Sequence, residues 1–308
     1  MKVLITGAGG MVGRNISENS FFKQQDLLLP RSSELNLLDS IAVDIYIQEH
    51  IPDLIIHCAG KVGGIQANMM DPVGFLVDNL EMGNNIVLSA KKHRVPKLIN
   101  MGSSCMYPRN INDGLTEDLI LTGELEPTNE GYAIAKITTA RLCEYISKTD
   151  EDLDYITLIP CNLYGRYDNF SERVSHMIPA VIKKIYEAKN NNHSDVEIWG
   201  DGTARREFMY SGELADFCEY AVNNFEKLPV LLNVGLGYDY TINEYYENIA
   251  KVIGYEGNFV HNLDRPVGMN RKLVSTKKLE DFGWKSKLSL EEGIERTFKF
   301  YINQVLNE

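Results

Sequence analysis

Short apolar runs recur along the chain at intervals wide enough to hold a helix, and this alternation predicts the fold before any chemistry is considered. Lys2 to Thr6 is a β-prone run that stops at glycines, and further apolar runs occupy Asp26 to Leu29, Asp53 to Cys58, Lys97 to Met101 and Tyr155 to Pro160. Runs that are apolar throughout suit strands buried on both faces, as in a parallel sheet. The β-α rhythm therefore predicts an α/β fold, a doubly wound parallel sheet with ligands beyond the carboxyl ends of its strands. After about Leu163 the rhythm changes: residues 165–175 are polar, Ile178 to Ala188 is amphipathic, and Asn190 to His193 reads as an exposed turn. This marks entry into a smaller, discontinuous α/β lobe. Leu231 to Gly235 reads as one more sheet strand, so the chain returns to the first lobe. The predicted division is residues 1–165 plus about 211–237 for the first lobe, and about 166–210 plus 238–308 for the second.

Composition narrows the partners. With 308 residues, 44% apolar and 24% charged, the chain is ordinary globular material, long enough for two lobes. A net charge of −12 argues against a nucleic-acid partner, because a phosphate polymer meets net repulsion. Five cysteines without a Cys-x-x-Cys pair and six histidines without His-x-x-x-His spacing give no disulfide framework and no metal site, so a reducing cytoplasm is expected. No apolar run nears the roughly 20 residues of a membrane span, and the chain opens on a strand rather than a signal peptide. No membrane partner is expected.

Chemistry first enters at Gly7-Ala8-Gly9-Gly10-Met11-Val12-Gly13, directly after the first strand. Glycines there let the backbone turn tightly, approach a pyrophosphate and pack a helix on the sheet, and Met11 and Val12 open a helix whose amides attract anions. The sheet is thus Rossmann-like, and Gly7, Gly10, Met11, Val12 and Gly13 are candidate dinucleotide contacts. The second strand ends at Leu29-Pro30-Arg31, where an acidic residue would suit a free ribose diol. Arg31 suits the 2′-phosphate of NADP instead, unless it pairs with nearby Glu34. Asp39 is a candidate for the adenine edge.

Lys97 to Gly102 places Ser103 at the carboxyl end of a strand, the expected site of catalysis. Tyr132 and Lys136, four residues apart, share one helix face. A phenol with an unperturbed pKa of about 10 exchanges protons poorly near neutrality, and a neighbouring ammonium is expected to lower that value. Ser103 can hydrogen-bond a carbonyl or alkoxide while Tyr132 exchanges the proton. The combination reads as a hydride-transfer site.

Together the glycine loop, Ser103 and Tyr132-x-x-x-Lys136 resemble the extended short-chain dehydrogenase/reductase superfamily. Lys61-Val-Gly-Gly-Ile65, Gly102 to Pro108, Leu125 to Asn129, Asn162-Leu-Tyr-Gly165, Asp168-Asn-Phe170, Ser175 to Pro179, Trp199-Gly200, Arg206-Glu-Phe208 and Arg271-Lys-Leu273 extend the likeness. This set resembles the GDP-L-fucose synthase family over nearly the whole chain. The resemblance implies NADPH-dependent reduction of the C4 ketone of a GDP-4-keto-6-deoxy sugar after inversion at C3 and C5. Both carbons are α to the ketone, so hydrogen bonds to its oxygen favour enolate formation as well as hydride acceptance.

By family position Cys105 is the base and His176 the acid of epimerisation, and Ala59 joins the cofactor contacts. Read alone, Cys105 is a small buried hydrophobe and His176 a structural hydrogen-bonding residue. Asn162, ending the strand Ile159 to Asn162, is a candidate substrate hydrogen bond. Arg206 and Lys272 match positions suited to the GDP diphosphate, and Trp199 either stacks near the nucleotide or packs in a core. A homodimer through first-lobe helices is also implied.

Some positions depart from the family pattern. Gly131 stands where proline is common, Gly9 where an arginine can reach the cofactor phosphate, Met209 to Glu213 replaces a stretch resembling Leu-His-Val-Asp-Asp, and Ser275 replaces an aspartate. These changes leave room for a different sugar. Reduction with little or no epimerisation, for instance on a 4-keto-6-deoxy-heptose, is the competing enzymatic reading, and a non-catalytic nucleotide-binding module is the competing reading from another class.

Overall fold

The computed structural model describes residues 1–111, 114–171, 175–265 and 269–306, so residues 172–174 of the polar stretch lie outside the described residues. In chain order the strands are β1 (Lys2–Thr6), β2 (Asp26–Leu28), β3 (Leu54–His57), β4 (Lys97–Met101), β5 (Asp154–Pro160), β6 (Asn162–Tyr164), β7 (Asp195–Trp199), β8 (Arg205–Arg206), β9 (Phe208–Tyr210), β10 (Leu231–Val234), β11 (Tyr240–Thr241), β12 (Asn258–Asn262) and β13 (Arg271–Lys272). The helices are α1 (Met11–Glu18), α2 (Ser40–His50), α3 (Ile65–Met70), α4 (Pro72–Lys92), α5 (Glu130–Thr149), α6 (Met177–Asn190), α7 (Ser211–Asn223), α8 (Ile242–Ile253), α9 (Lys277–Asp281) and α10 (Leu290–Phe300).

The predicted sheet has six parallel strands in the order β10-β5-β4-β3-β1-β2, with Thr6 beside His57 and Met101 beside Leu158. Its strands are buried on both faces, as their continuous apolar sequence requires. Val3 and Ile5 pack with Ile16, Leu54, Ile56, Ile99 and Phe217 on one side, whereas Leu4 packs with Val43, Ile47, Ile55, Ile86 and Leu98 on the other. Period-two alternation thus feeds two helical layers rather than one core and one wet face. A separate core joins Ile178, Ile182 and Ile185 of α6 to Val196 and Ile198 of β7, Tyr245 and Ile249 of α8, and Ile294 of α10.

Two boundaries differ from the sequence expectation. The run Ile159 to Asn162 is not one strand: β5 ends at Pro160, and Asn162 opens β6, which pairs with β9. The stretch carrying Val274 and Leu279 packs in the sheet-side core, because buried Asn233 on β10 donates to Leu115 O at 2.8 Å and to Ser275 O at 3.1 Å. These bonds satisfy backbone carbonyls beside the sheet. They also fasten the segment that follows β13. Among the described residues, no helix is long and apolar enough to cross a membrane.

Candidate active site

β1 lies between β2 and β3, so the chain leaves it in opposite directions and opens a crevice at the carboxyl ends of the strands. Gly7 holds φ +69° there, and a Cβ on it would lie 2.7 Å from Ala59 N. A Cβ on Gly13 would lie 2.4 Å from Gly7 O, so only glycine lets α1 close onto the turn. Gly10 caps α1 without a side chain, and no side chain takes the cap bond beside Met11 and Val12. This bare backbone cradle fits a pyrophosphate. Gly9 faces open space. Exposed Arg31 follows β2, and the Glu34 carboxylate accepts from the Arg31 backbone N–H at 2.7 Å. Glu34 therefore engages the backbone of Arg31. Asp39 caps α2: its Oδ1 accepts from Ile41 N at 3.0 Å and Ala42 N at 3.1 Å.

A second cluster forms where β4 meets α5. Ser103 begins a short 3₁₀ turn, accepts Cys105 N–H at 3.2 Å, and lies near enough to the half-buried Tyr132 phenol to favour its ionised form. One turn further along α5, Lys136 is buried and donates from Nζ to Met101 O at 2.9 Å. Burial lowers the Lys136 pKa to about 8, which leaves most of the amine protonated at neutrality. Tyr132 differs from the sequence expectation. Burial, reinforced by Cys105, raises its pKa well above the ordinary phenol range, against the lowering effect of the Ser103 hydroxyl. The Lys136 ammonium lies 5.9 Å from the phenol ring centroid and is held by a carbonyl, so it does not offset desolvation. A phenol in that state retains its proton for donation.

The Cys105 sulfur receives Asn129 Nδ2 at 3.2 Å and Lys272 Nζ at 3.4 Å. Lys272 arrives through strand register. Parallel β8 and β13 set Arg205 beside Arg271 and Arg206 beside Lys272. Adjacent residues on a strand face opposite ways. Arg205 and Arg271 both donate to Asp239, at 2.6 Å each, and Arg206 shares the other face with Lys272. Burial lowers the Arg206 pKa, and its Nη1 donates to Arg205 O at 2.8 Å.

His176 is held on another element, at the N-cap position of α6. Its Nδ1 lies 3.3 Å from Oδ1 of Asp168, whose side chain is only 4% exposed, and this bond raises the imidazole pKa despite partial burial. Trp199 ends β7 half exposed, with the Arg265 guanidinium 5.0 Å above its ring, so it is not a core residue. Asn162 directs Nδ2 to Glu207 O at 3.0 Å and thereby clamps β6 to the neighbouring segment. Thus Ser103, Cys105, Tyr132, Lys136 and Lys272 converge. Asn129 and Asp168 carried no assigned role in the sequence reading. Their signal was spacing: Asn129 stands one turn before Tyr132, and Asp168 is the acidic residue within reach of His176 in the same loop.

A Rossmann-type dinucleotide crevice with serine, tyrosine and lysine at the carboxyl edge defines an oxidoreductase of the short-chain dehydrogenase/reductase type. Residues 3–235 match the NAD dependent epimerase/dehydratase family. The chain is 56% identical to GDP-L-colitose synthase of Yersinia pseudotuberculosis over 100% of both proteins, and 47% identical to GDP-L-fucose synthase of Azorhizobium caulinodans over 98% of this chain and 96% of that one. It superimposes with a TM-score of 0.89 on a GDP-mannoheptose C4 reductase from Campylobacter jejuni with NADP bound, at 31% identity and 98% coverage of each chain. The chain belongs to the NAD-dependent epimerase/dehydratase family, within its GDP-L-fucose synthase branch.

Proposed function

We propose that this enzyme uses NADPH to reduce the C4 ketone of a GDP-linked 4-keto-6-deoxy sugar and inverts carbon adjacent to that ketone beforehand. The observation that carries this reading is the convergence of Ser103, Tyr132 and Lys136 with Cys105 beside the glycine cradle. Gly7, Gly10, Met11, Val12, Gly13, Ala59 and Lys136 would hold the cofactor, with Arg31 toward its 2′-phosphate. Bound there, NADPH supplies the hydride for C4. Ser103 and Tyr132 hydrogen-bond the ketone oxygen, and Tyr132 delivers its retained proton as the alkoxide forms. Lys136 keeps positive charge beside that transfer.

The same oxygen contacts serve epimerisation. Cys105 takes a proton from carbon α to the ketone, the electron pair enters the enolate held by Ser103 and Tyr132, and His176 returns a proton from the opposite ring face. Asp168 supports His176 in its protonated form. Arg206 and Lys272 favour the diphosphate, with Trp199 at the nucleotide. The first lobe comprises residues 1–165 and about 211–237; the rest forms the substrate lobe, with the stretch around Val274 to Leu279 docked back on the sheet.

The relatives favour a second reading with less epimerisation. One solved relative is named for C4 reduction of a GDP-mannoheptose, so reduction of a GDP-4-keto-6-deoxy-heptose with little or no epimerisation is the alternative. We place the enzyme in the cytoplasm as a homodimer. Exposed Val73, Val77 and Leu88 line one face of α4, and Ile134 and Tyr145 one face of α5, consistent with pairing through these helices. Tyr132→Phe tests the catalytic assignment: NADPH oxidation with a competent GDP-4-keto sugar should fall about 10²–10⁴-fold. An unchanged rate removes the proton-transfer role.

A further inference from the structure

Asn129 occupies the N-cap position of α5, where asparagine ordinarily accepts a helix N–H through its side-chain oxygen. Here it makes no such cap. Its NH₂ group instead donates to the Cys105 sulfur at 3.2 Å, and its Oδ1 is buried without a hydrogen-bond partner. An N-cap bond forgone beside a buried orphan oxygen is a local cost to the helix. Something other than helix stability sets this side chain. Lys272 approaches the same sulfur from the opposite end of the sequence, 3.4 Å away. Both groups present N–H donors to one sulfur, and one carries a full positive charge. A neutral thiol, with one weak proton to donate, has little use for two donors; a thiolate is an acceptor for both.

We propose that Asn129 and Lys272 are positioning residues that hold Cys105 as the thiolate before a proton is taken from the sugar. This inference rests on the reading of Cys105 as the base. It gives Lys272 a task besides the diphosphate: its ammonium spans the region between Arg206, its register partner, and the sulfur. Among the described residues, the titratable groups set against the sulfur are Lys272 on β13 and Tyr132 on α5, and the phenol is kept neutral by burial. The cycle balances without an oxidant. The C–H bond α to the ketone breaks, its proton forms S–H on Cys105, and its electron pair enters the enolate. Once the sulfur is protonated, rotation of the Asn129 amide turns the unpartnered Oδ1 toward the new S–H donor. The amide thus has a partner for the sulfur in both of its protonation states.

The test reads the thiolate directly. Full-length protein is alkylated with iodoacetamide across pH 5.5–9.5, and modification at Cys105 is quantified by peptide mass spectrometry, about the pH range over which cysteine ionisation is perturbed by such neighbours. Cys143, Cys161 and Cys218 are buried, and burial raises the Cys58 pKa to about 12, so the Cys105 peptide carries the informative signal. Lys272→Met and Asn129→Leu should each move the alkylation midpoint upward. Below both midpoints alkylation slows in the variant, because the loss of thiolate is only partly offset by its higher nucleophilicity. Lys272→Arg should restore a low midpoint, and Asn129→Asp should raise it by adding a carboxylate. Midpoints unchanged in Lys272→Met and Asn129→Leu would overturn the proposal. Cys105→Ser separates the two levels: retained solvent-deuterium uptake α to the ketone overturns the reading of Cys105 as base, whereas lost uptake with unmoved midpoints overturns only the roles of Asn129 and Lys272.

Discussion

The Tyr132 phenol and the His176 imidazole are shifted in the same direction for different reasons. Burial raises Tyr132, whereas a carboxylate partner raises His176. Both effects keep a proton on a group assigned to donate one. The His176 shift depends on Asp168, so the acid form persists to higher pH in the native enzyme and is lost as pH rises through the raised pKa. Asp168→Asn should therefore move the upper pH limit of solvent-deuterium incorporation to lower pH, without the same movement in C4 reduction. Coincident limits in the variant and the parent would argue against Asp168 acting on this proton. Tyr132, Lys136 and Ser103 were legible in the sequence because one helix period and one strand end place them. The direction of the Tyr132 shift was not, since helix spacing shows the neighbouring ammonium but not the burial that outweighs it, nor the Met101 carbonyl that holds the ammonium.

At the scale of elements, the parallel strands and the glycine turn were readable because continuous apolar runs and a turn that excludes Cβ atoms leave few alternatives. The short strands later in the chain were not. β8 and β13 have two residues each, too few for a periodic pattern, yet their register sorts four cations into a pair neutralised by Asp239 and a pair on the opposite face. The join between these strands and the sheet depends on Asn233, which is fully buried, accepts the Tyr107 hydroxyl at 2.6 Å and donates to Leu115 and Ser275. Asn233→Leu would leave those groups without their partner inside the protein. A loss of about 2–4 kcal/mol in unfolding free energy is expected, read as a lower urea midpoint. A midpoint within error of the parent would show that the segment after β13 is fastened by other contacts.

At the scale of the whole molecule, the site is assembled from both ends of the chain: Lys272 meets Cys105 across 167 positions, a contact no local pattern reveals. On the proposed reading, cofactor cradle, proton donors and cationic face meet at the carboxyl edge of one sheet, and the exposed apolar faces of α4 and α5 are where a second copy would pair. Sedimentation should find a dimer, and Val77→Glu with Leu88→Glu should shift it toward monomer; an unaltered dimer would place the interface elsewhere. The reaction itself is tested most directly by supplying GDP-4-keto-6-deoxymannose and unlabelled NADPH in D₂O and locating deuterium in the product by NMR. Hydride reduction after enolisation predicts one NADPH consumed per product, hydrogen at C4, and deuterium at C3 and C5. No NADPH consumption, or deuterium at C4, would contradict it.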